Sequence, residues 1–239
     1  MTDLLLVLGM HRSGTSVIAR ATECLGAELG DAAHWGGPDN PDFAEDREIM
    51  AINDAFLHDL GQSWSDVPLH ARGPFPTQGA AFLLAQRLAK HPIFALKDPR
   101  MCRLLPYWRP VFNAVRAEVR VIEAIRHPAE VAASLWARNG IARTKALRLW
   151  LDHVEHVMAD RHRSWPWVTV AYHQMLADPA RQIARMAARL GMTDRLDAGR
   201  VARFAATVRP ALRHHDEPDG ALPEDVRRAW LGALGAAAT

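Results

Sequence analysis

Gly9-Met10-His11-Arg12-Ser13-Gly14-Thr15-Ser16 sets two glycines five positions apart, directly after an apolar run and directly before a helical pattern. Backbone N–H groups and the positive end of a helix hold phosphate in that context. The spacing is that of a nucleotide phosphate loop, but Thr15 stands where such loops carry lysine, so the side-chain donors left are Thr15, Ser16 and the cation of Arg12. A lysine there reaches the β- and γ-phosphates in enzymes that split nucleoside triphosphates, and its loss argues against that chemistry. A second constellation pairs Arg126, at the end of an apolar run, with Ser134 eight residues on. If Arg126 ends a parallel strand and Ser134 lies on the next helix, both face the crevice at the carboxyl edge of the sheet. The planar fork of arginine, a hydroxyl and a helix start after Pro128 suit a dianionic phosphate. The bland alternative pairs Arg126 with Glu123 or Glu130 and leaves Ser134 to packing.

The elements that must carry these residues follow from periodicity. Leu4 to Leu8 is a continuous apolar run, which predicts a strand buried on both faces of a parallel sheet. Val17, Ile18, Ala21 and Leu25 predict the following helix, and Ile49, Ile52, Phe56, Leu57 and Leu60 another, stopped by Gly61. Between them Gly36 to Asp46 reads as a loop over a site, and Gln62 to Gly79 as irregular chain. A helix is expected over 80–90, strands over 92–96, 120–125 and 167–171, a helix after Pro128, a long one through Leu147 to Met158, and one through Ile183 to Leu190. Alternating strands and helices predict an α/β fold, a P-loop-like parallel sheet flanked by helices. The chain reads as one domain over 1–239, its core ending near 191, with a helical, partly solvent-facing part over 194–239.

Three blocks carry a resemblance: Gly9 to Ser16, then Leu96-Lys97-Asp98-Pro99-Arg100, then Ile125-Arg126-His127-Pro128 through Ser134. In this order they resemble the bacterial sulfotransferase family, which uses 3′-phosphoadenosine 5′-phosphosulfate (PAPS) as donor. The resemblance implies that His11, Arg12, Ser13, Gly14, Thr15 and Ser16 hold the 5′-phosphosulfate, and that Arg126 and Ser134 hold the 3′-phosphate. It implies Lys97, with Arg12, as the cation for charge developing on the leaving phosphate oxygen. It also implies Glu45, after Asn40-Pro41-Asp42 and Phe43, as the base that takes the acceptor proton. Asp46 competes for that role, since adjacent helical side chains diverge by about 100° and only one faces the cleft; His11 is the other alternative. Arg209 and Arg213, in a late block running to His214-His215, would reach donor phosphate if the resemblance extends so far; composition favours plain exposure there.

Composition narrows the partners. Lys plus Arg total 29 and Asp plus Glu 27, so nothing in bulk charge draws the chain to nucleic acid or a membrane surface. Two cysteines build neither a disulfide framework nor a zinc site, and no metal is called for. With no signal peptide or spanning run to read, a cytoplasmic location is expected. The acceptor is expected to be a small molecule or glycan, with Trp35 and Trp64 as an apolar wall. The rivals are an ATP-dependent small-molecule kinase, which needs magnesium, and a nucleotide-binding module without turnover.

Overall fold

The computed structural model describes residues 2–30, 44–69, 73–161, 165–208 and 221–238. Four strands, β1 (Thr2–Leu8), β2 (Ile93–Lys97), β3 (Ala117–Ile125) and β4 (Trp167–Ala171), form one sheet in the order β2-β1-β3-β4, every pair parallel. Val7 lies level with Lys97 and with Ile122, so β1 is central and its neighbours come from opposite sides. Chain direction switches sides at β1, the place where open α/β sheets form a ligand crevice beyond their carboxyl ends. Gly9, Asp98, Arg126 and Tyr172 are the first residues past those four ends.

Side-chain alternation along β1 divides the core. Leu4, Leu6 and Leu8 pack with Phe94, Leu96 and Val121 under α2 (Arg47–Asp59), α3 (Thr77–Lys90) and α4 (Met101–Ala114). Leu5 and Val7 pack with Ala95, Ile122, Val168 and Val170 under α1 (Thr15–Ala21) and α8 (Pro179–Arg189), and α9 (Ala198–Thr207) adds the half-buried Val201 and Phe204. Both faces are covered, which is why Leu4 to Leu8 and Ile93 to Leu96 read as unbroken apolar runs. A third cluster joins α5 (Pro128–Asn139), α6 (Arg143–Asp160) and α10 (Glu224–Ala238) at the β4 side, where Val226 and Trp230 meet Trp150 and Leu147. The helical C-terminal part is thus present, and one face of α10 is core. A short helix, α7 (Tyr172–Ala177), leads from β4 to α8.

Several expected boundaries move. β2 begins at Ile93 and β3 at Ala117, while α3 begins at Thr77, its N-cap the proline at 76. Helix α4 has no counterpart in the sequence reading because Pro106 and Pro110 lie inside it. Each proline removes one helical hydrogen bond and disfavours the turn, but Leu104, Leu105, Trp108, Val111 and Phe112 on one face are all fully or almost fully buried. At about 1.5–3 kcal/mol per buried large apolar side chain, that face outweighs the two interruptions.

Candidate functional site

β1 hands the chain to the glycine loop at Gly9, whose N–H donates to Cys102 Sγ at 3.0 Å. A Cβ here would lie 2.6 Å from the Ala124 carbonyl oxygen, so only glycine lets the loop pass this close to β3. Gly14, at φ +82°, is the N-cap of α1 and brings no capping side chain, which leaves the first-turn N–H groups of α1 to a ligand. Between the glycines Arg12 is itself left-handed, at φ 68°. That conformation costs an arginine about 1–2 kcal/mol, a strain kept where backbone and side chain are both needed in place.

Arg12 Nε donates to Ser134 Oγ at 2.8 Å, and Arg126 Nη1 donates to the Arg12 carbonyl at 3.2 Å. Three residues from the loop, the end of β3 and the middle of α5 therefore converge. Arg126 Nε donates to Glu130 at 2.8 Å, its guanidinium lies 4.8 Å above the Tyr172 ring, and its carbonyl is held by Trp150 Nε1 at 3.1 Å. The bland partner Glu130 is real, yet it satisfies one edge of the fork. Arg126 Nη2 is buried with no partner among the described residues. A shielded cationic N–H left unpaired is costly, and an anion is what removes the cost. Burial and the charges of Arg138 and Arg126 lower the Arg12 pKa, which marks a gathering of three cations.

The other side of the loop faces a buried ion pair. Lys97, the last residue of β2, donates to Glu45 Oε1 at 2.5 Å and to Ser16 Oγ at 3.3 Å, with Lys97 2% and Glu45 6% exposed. Asp98 is engaged otherwise, accepting from Arg100 Nη1 at 2.9 Å and Asn53 Nδ2 at 2.9 Å. Arg100 Nη1 stands 3.8 Å from Glu45 Oε2 and reaches Asp54 Oδ1 through Nε at 2.6 Å. Asp46 caps α2 by accepting from Glu48 N at 3.0 Å and Ile49 N at 3.3 Å, and it pairs with Arg87 at 2.6 Å. Of the two adjacent acids, Glu45 joins Lys97 and Asp46 starts the helix. Burial raises the Glu45 pKa and lowers that of Lys97, each partly offset by the other's charge, so the two proton affinities approach each other.

The His11 ring lies 4.3 Å from Trp64, and burial, then the charges of Arg100 and Lys97, lower its pKa. Ser13 and Thr15 are buried in the loop. The fold thus gathers Arg12, Arg126 and Ser134 on one side of the loop and Ser16, Lys97 and Glu45 on the other. Asn40 to Phe43, Trp35, Arg209 and Arg213 to His215 lie outside the described residues. Arg138, Tyr172 and Arg100 were missed in sequence. Arg138 had a signal, being four residues past Ser134 on the same helical face; Tyr172 had none beyond its place after β4. Among the described residues no cluster of three or more His, Cys, Asp or Glu could hold a metal, and no helix is long and apolar enough to cross a membrane.

A family model described as "Sulfotransferase family" matches residues 5–195. Among solved structures, the chain is similar to the sulfotransferase domain from the Synechococcus PCC 7002 olefin synthase, with TM-score 0.53, 16% identity, and 98% of this chain and 96% of that one covered. It is similar also to sulfotransferase STF1 from Mycobacterium tuberculosis H37Rv, with TM-score 0.53, 16% identity, and 97% and 77% covered. The sulfotransferase domain from the curacin biosynthetic pathway aligns with TM-score 0.50 at 12% identity over 98% of each chain. At such identities the likeness is one of fold. No curated protein sequence matches the chain.

Proposed function

The chain belongs to the sulfotransferase family and is a PAPS-dependent sulfotransferase, and we propose that the two sides of its glycine loop are the donor and acceptor sides of that reaction. Arg126 and Ser134 hold the 3′-phosphate, with Arg138 adding charge, and Arg12, bonded to both, links them to the loop. The N–H groups of the loop from His11 through Ser16 and the start of α1 hold the 5′-phosphosulfate. The unpartnered Arg126 Nη2, fixed within a set of three converging residues, is the observation that carries this reading. A cavity of about 410 Å³ along α1 and α9, lined by Val17, Phe204 and Val208 among others, begins one residue past Ser16 and suits the flat apolar faces of adenine.

PAPS supplies an activated sulfuryl group. The acceptor hydroxyl oxygen forms the new bond to sulfur as the bond from sulfur to the bridging phosphate oxygen breaks. Glu45 takes the hydroxyl proton. Lys97 and Arg12 stabilise the negative charge that grows on the departing phosphate oxygen. Lys97 touches both Glu45 and Ser16, so it links the base to the loop. The acceptor we favour is a small molecule or glycan, in keeping with a net charge of only +2. No resident metal is assigned a part.

Calorimetric titration with adenosine 3′,5′-bisphosphate and with magnesium-ATP tests the donor assignment. Micromolar binding of the bisphosphate with weaker ATP binding is expected. Tight magnesium-ATP binding without bisphosphate binding would return the kinase reading, and bisphosphate binding without transfer to any hydroxyl the module without turnover.

A further inference from the structure

His11 sits in the donor loop, yet its side chain leaves the donor cluster. The imidazole is packed against Trp64 at a tilt of 45° and meets His153 edge-on at 6.4 Å. Its Nε2 is shielded and has no partner among the described residues. Burial and the charges of Arg100, Lys97 and Arg103 hold the ring neutral, so it offers one donor and one acceptor nitrogen rather than a further cation. Arg103, which holds the neighbouring Trp64, lies one turn along α4 from Arg100, and Arg100 stands 3.8 Å from Glu45, which puts the ring on the α4 side of the loop with that acid.

Trp64 is held from behind. Arg103, 2% exposed on α4, donates through Nη2 to the Trp64 carbonyl at 2.7 Å and through Nη1 to the Asp66 carbonyl at 2.7 Å and to Asp152 Oδ2 at 3.0 Å. One guanidinium thereby ties the chain around Trp64 to α6. Trp64 itself remains partly open to solvent. An unpartnered imidazole nitrogen beside a pinned, half-open indole recognises a hydroxyl carried on a ring: the nitrogen takes the hydroxyl and the indole takes the ring face.

We propose that His11 Nε2 orients the acceptor hydroxyl toward Glu45, that Trp64 receives the flat face of a ring-borne alcohol, and that Arg103 is the positioning residue that keeps Trp64 there. This deepens the sulfotransferase reading and rests on it. The backbone of His11 still serves the donor loop, and its side chain serves the acceptor.

The test measures PAPS-dependent transfer to 2-naphthol, methyl β-glucoside and 1-hexanol, with adenosine 3′,5′-bisphosphate affinity measured on the same preparations. The wild-type protein should favour at least one ring alcohol over 1-hexanol by about 10-fold or more in kcat/KM. His11→Leu should lower kcat/KM for that alcohol about 10- to 100-fold with bisphosphate affinity kept within about 2-fold, and His11→Gln, which returns a hydrogen-bonding group, should recover part of the loss. Trp64→Leu should erase the preference for rings. Arg103→Lys, which cannot span three oxygens, should raise KM while leaving kcat nearly unchanged.

A His11→Leu protein that loses bisphosphate affinity would return the side chain to the donor site and overturn the proposal. Unchanged kcat/KM, or a wild-type preference for 1-hexanol, would do the same. Bisphosphate binding with transfer to none of the three alcohols would overturn the ring-acceptor inference and leave the donor assignment standing. Failure of the wild-type protein to bind bisphosphate would remove the functional reading itself.

Discussion

The Lys97–Glu45 pair can be dissected by a double-mutant cycle. Lys97→Met leaves a buried carboxylate whose nearest remaining cation is Arg100, at 3.8 Å. Glu45→Gln leaves a buried ammonium with an amide oxygen and Ser16 Oγ, which it already meets at 3.3 Å. Removing one member of a buried pair costs about 3–5 kcal/mol. Because each remaining group keeps a second partner, the cost falls at the lower end, about 3 kcal/mol for either change. In a chain of this size 1 kcal/mol moves Tm by about 2–4 °C, so each single variant should melt about 6–12 °C below wild type. The double variant strands no charge and should lose only about 1 kcal/mol, or about 2–4 °C. Transfer rates should behave differently, falling about 10²-fold or more in all three proteins, because stability recovered by removing both charges restores neither base nor cation. Thermal melts followed by circular dichroism at pH 7.5, with single-turnover transfer on the same preparations, read both quantities. A double variant melting at the sum of the two single losses would refute the coupling, and a fully active Glu45→Gln protein would refute the base.

Arg126→Ala should weaken adenosine 3′,5′-bisphosphate binding about 10- to 150-fold, the worth of a charge-assisted hydrogen bond, and leave the acceptor KM alone; equal effects on both ligands would undo the assignment. Gly14→Ala places a Cβ 2.1 Å from the Tyr172 ring in a backbone with φ +82°. It should lose about 1–2 kcal/mol from conformation alone and more from displacing Tyr172, so a Tm equal to wild type would contradict the loop geometry. His11 and His153 are both held neutral, chiefly by burial, with their pKa values lowered. The unfolded chain therefore binds more protons than the folded one below about pH 6.5, and stability is lost as the pH is lowered through that range. The slope from these two groups reaches about 2.7 kcal/mol per pH unit, and urea melts at pH 7.5, 6.5 and 5.5 that superimpose would refute it.

What could be read from sequence was whatever repeats with the period of its element. β1 and β2 announced themselves because burial on both faces makes Leu4 to Leu8 and Ile93 to Leu96 continuous apolar runs, and α2 stopped just short of Gly61 as its pattern required. Helix α4 was hidden by Pro106 and Pro110, since local propensity speaks against it and only the sheet it packs on speaks for it. The short α7 offered too few residues for a period to show. In the site, the loop and the Arg126 and Ser134 spacing were legible as local patterns. The union of Lys97 with Glu45 is a contact across 52 positions, and only the family resemblance suggested both residues. That Asp46 was the helix cap was foreshadowed by the rule that adjacent side chains diverge, but the rule could not choose between the two acids. Arg103 and its three oxygens were invisible, because no pattern along one chain shows which carbonyls a distant guanidinium will find.

The seat of Trp230 against Trp150 and His127, at 6.3 and 5.3 Å, has a temporal meaning. Trp150 holds the Arg126 carbonyl, so the wall behind Arg126 is finished by a helix made long after it. At roughly 5–20 residues per second, a ribosome needs roughly 3–13 s to travel from Asp160 to Glu224. Once β4 has emerged, later in that interval, the sheet has all its strands, while the apolar flank of α6 still lacks its cover. A nascent chain stalled between β4 and α10 would hold every strand of the sheet while Trp150 still lacked the contact of Trp230.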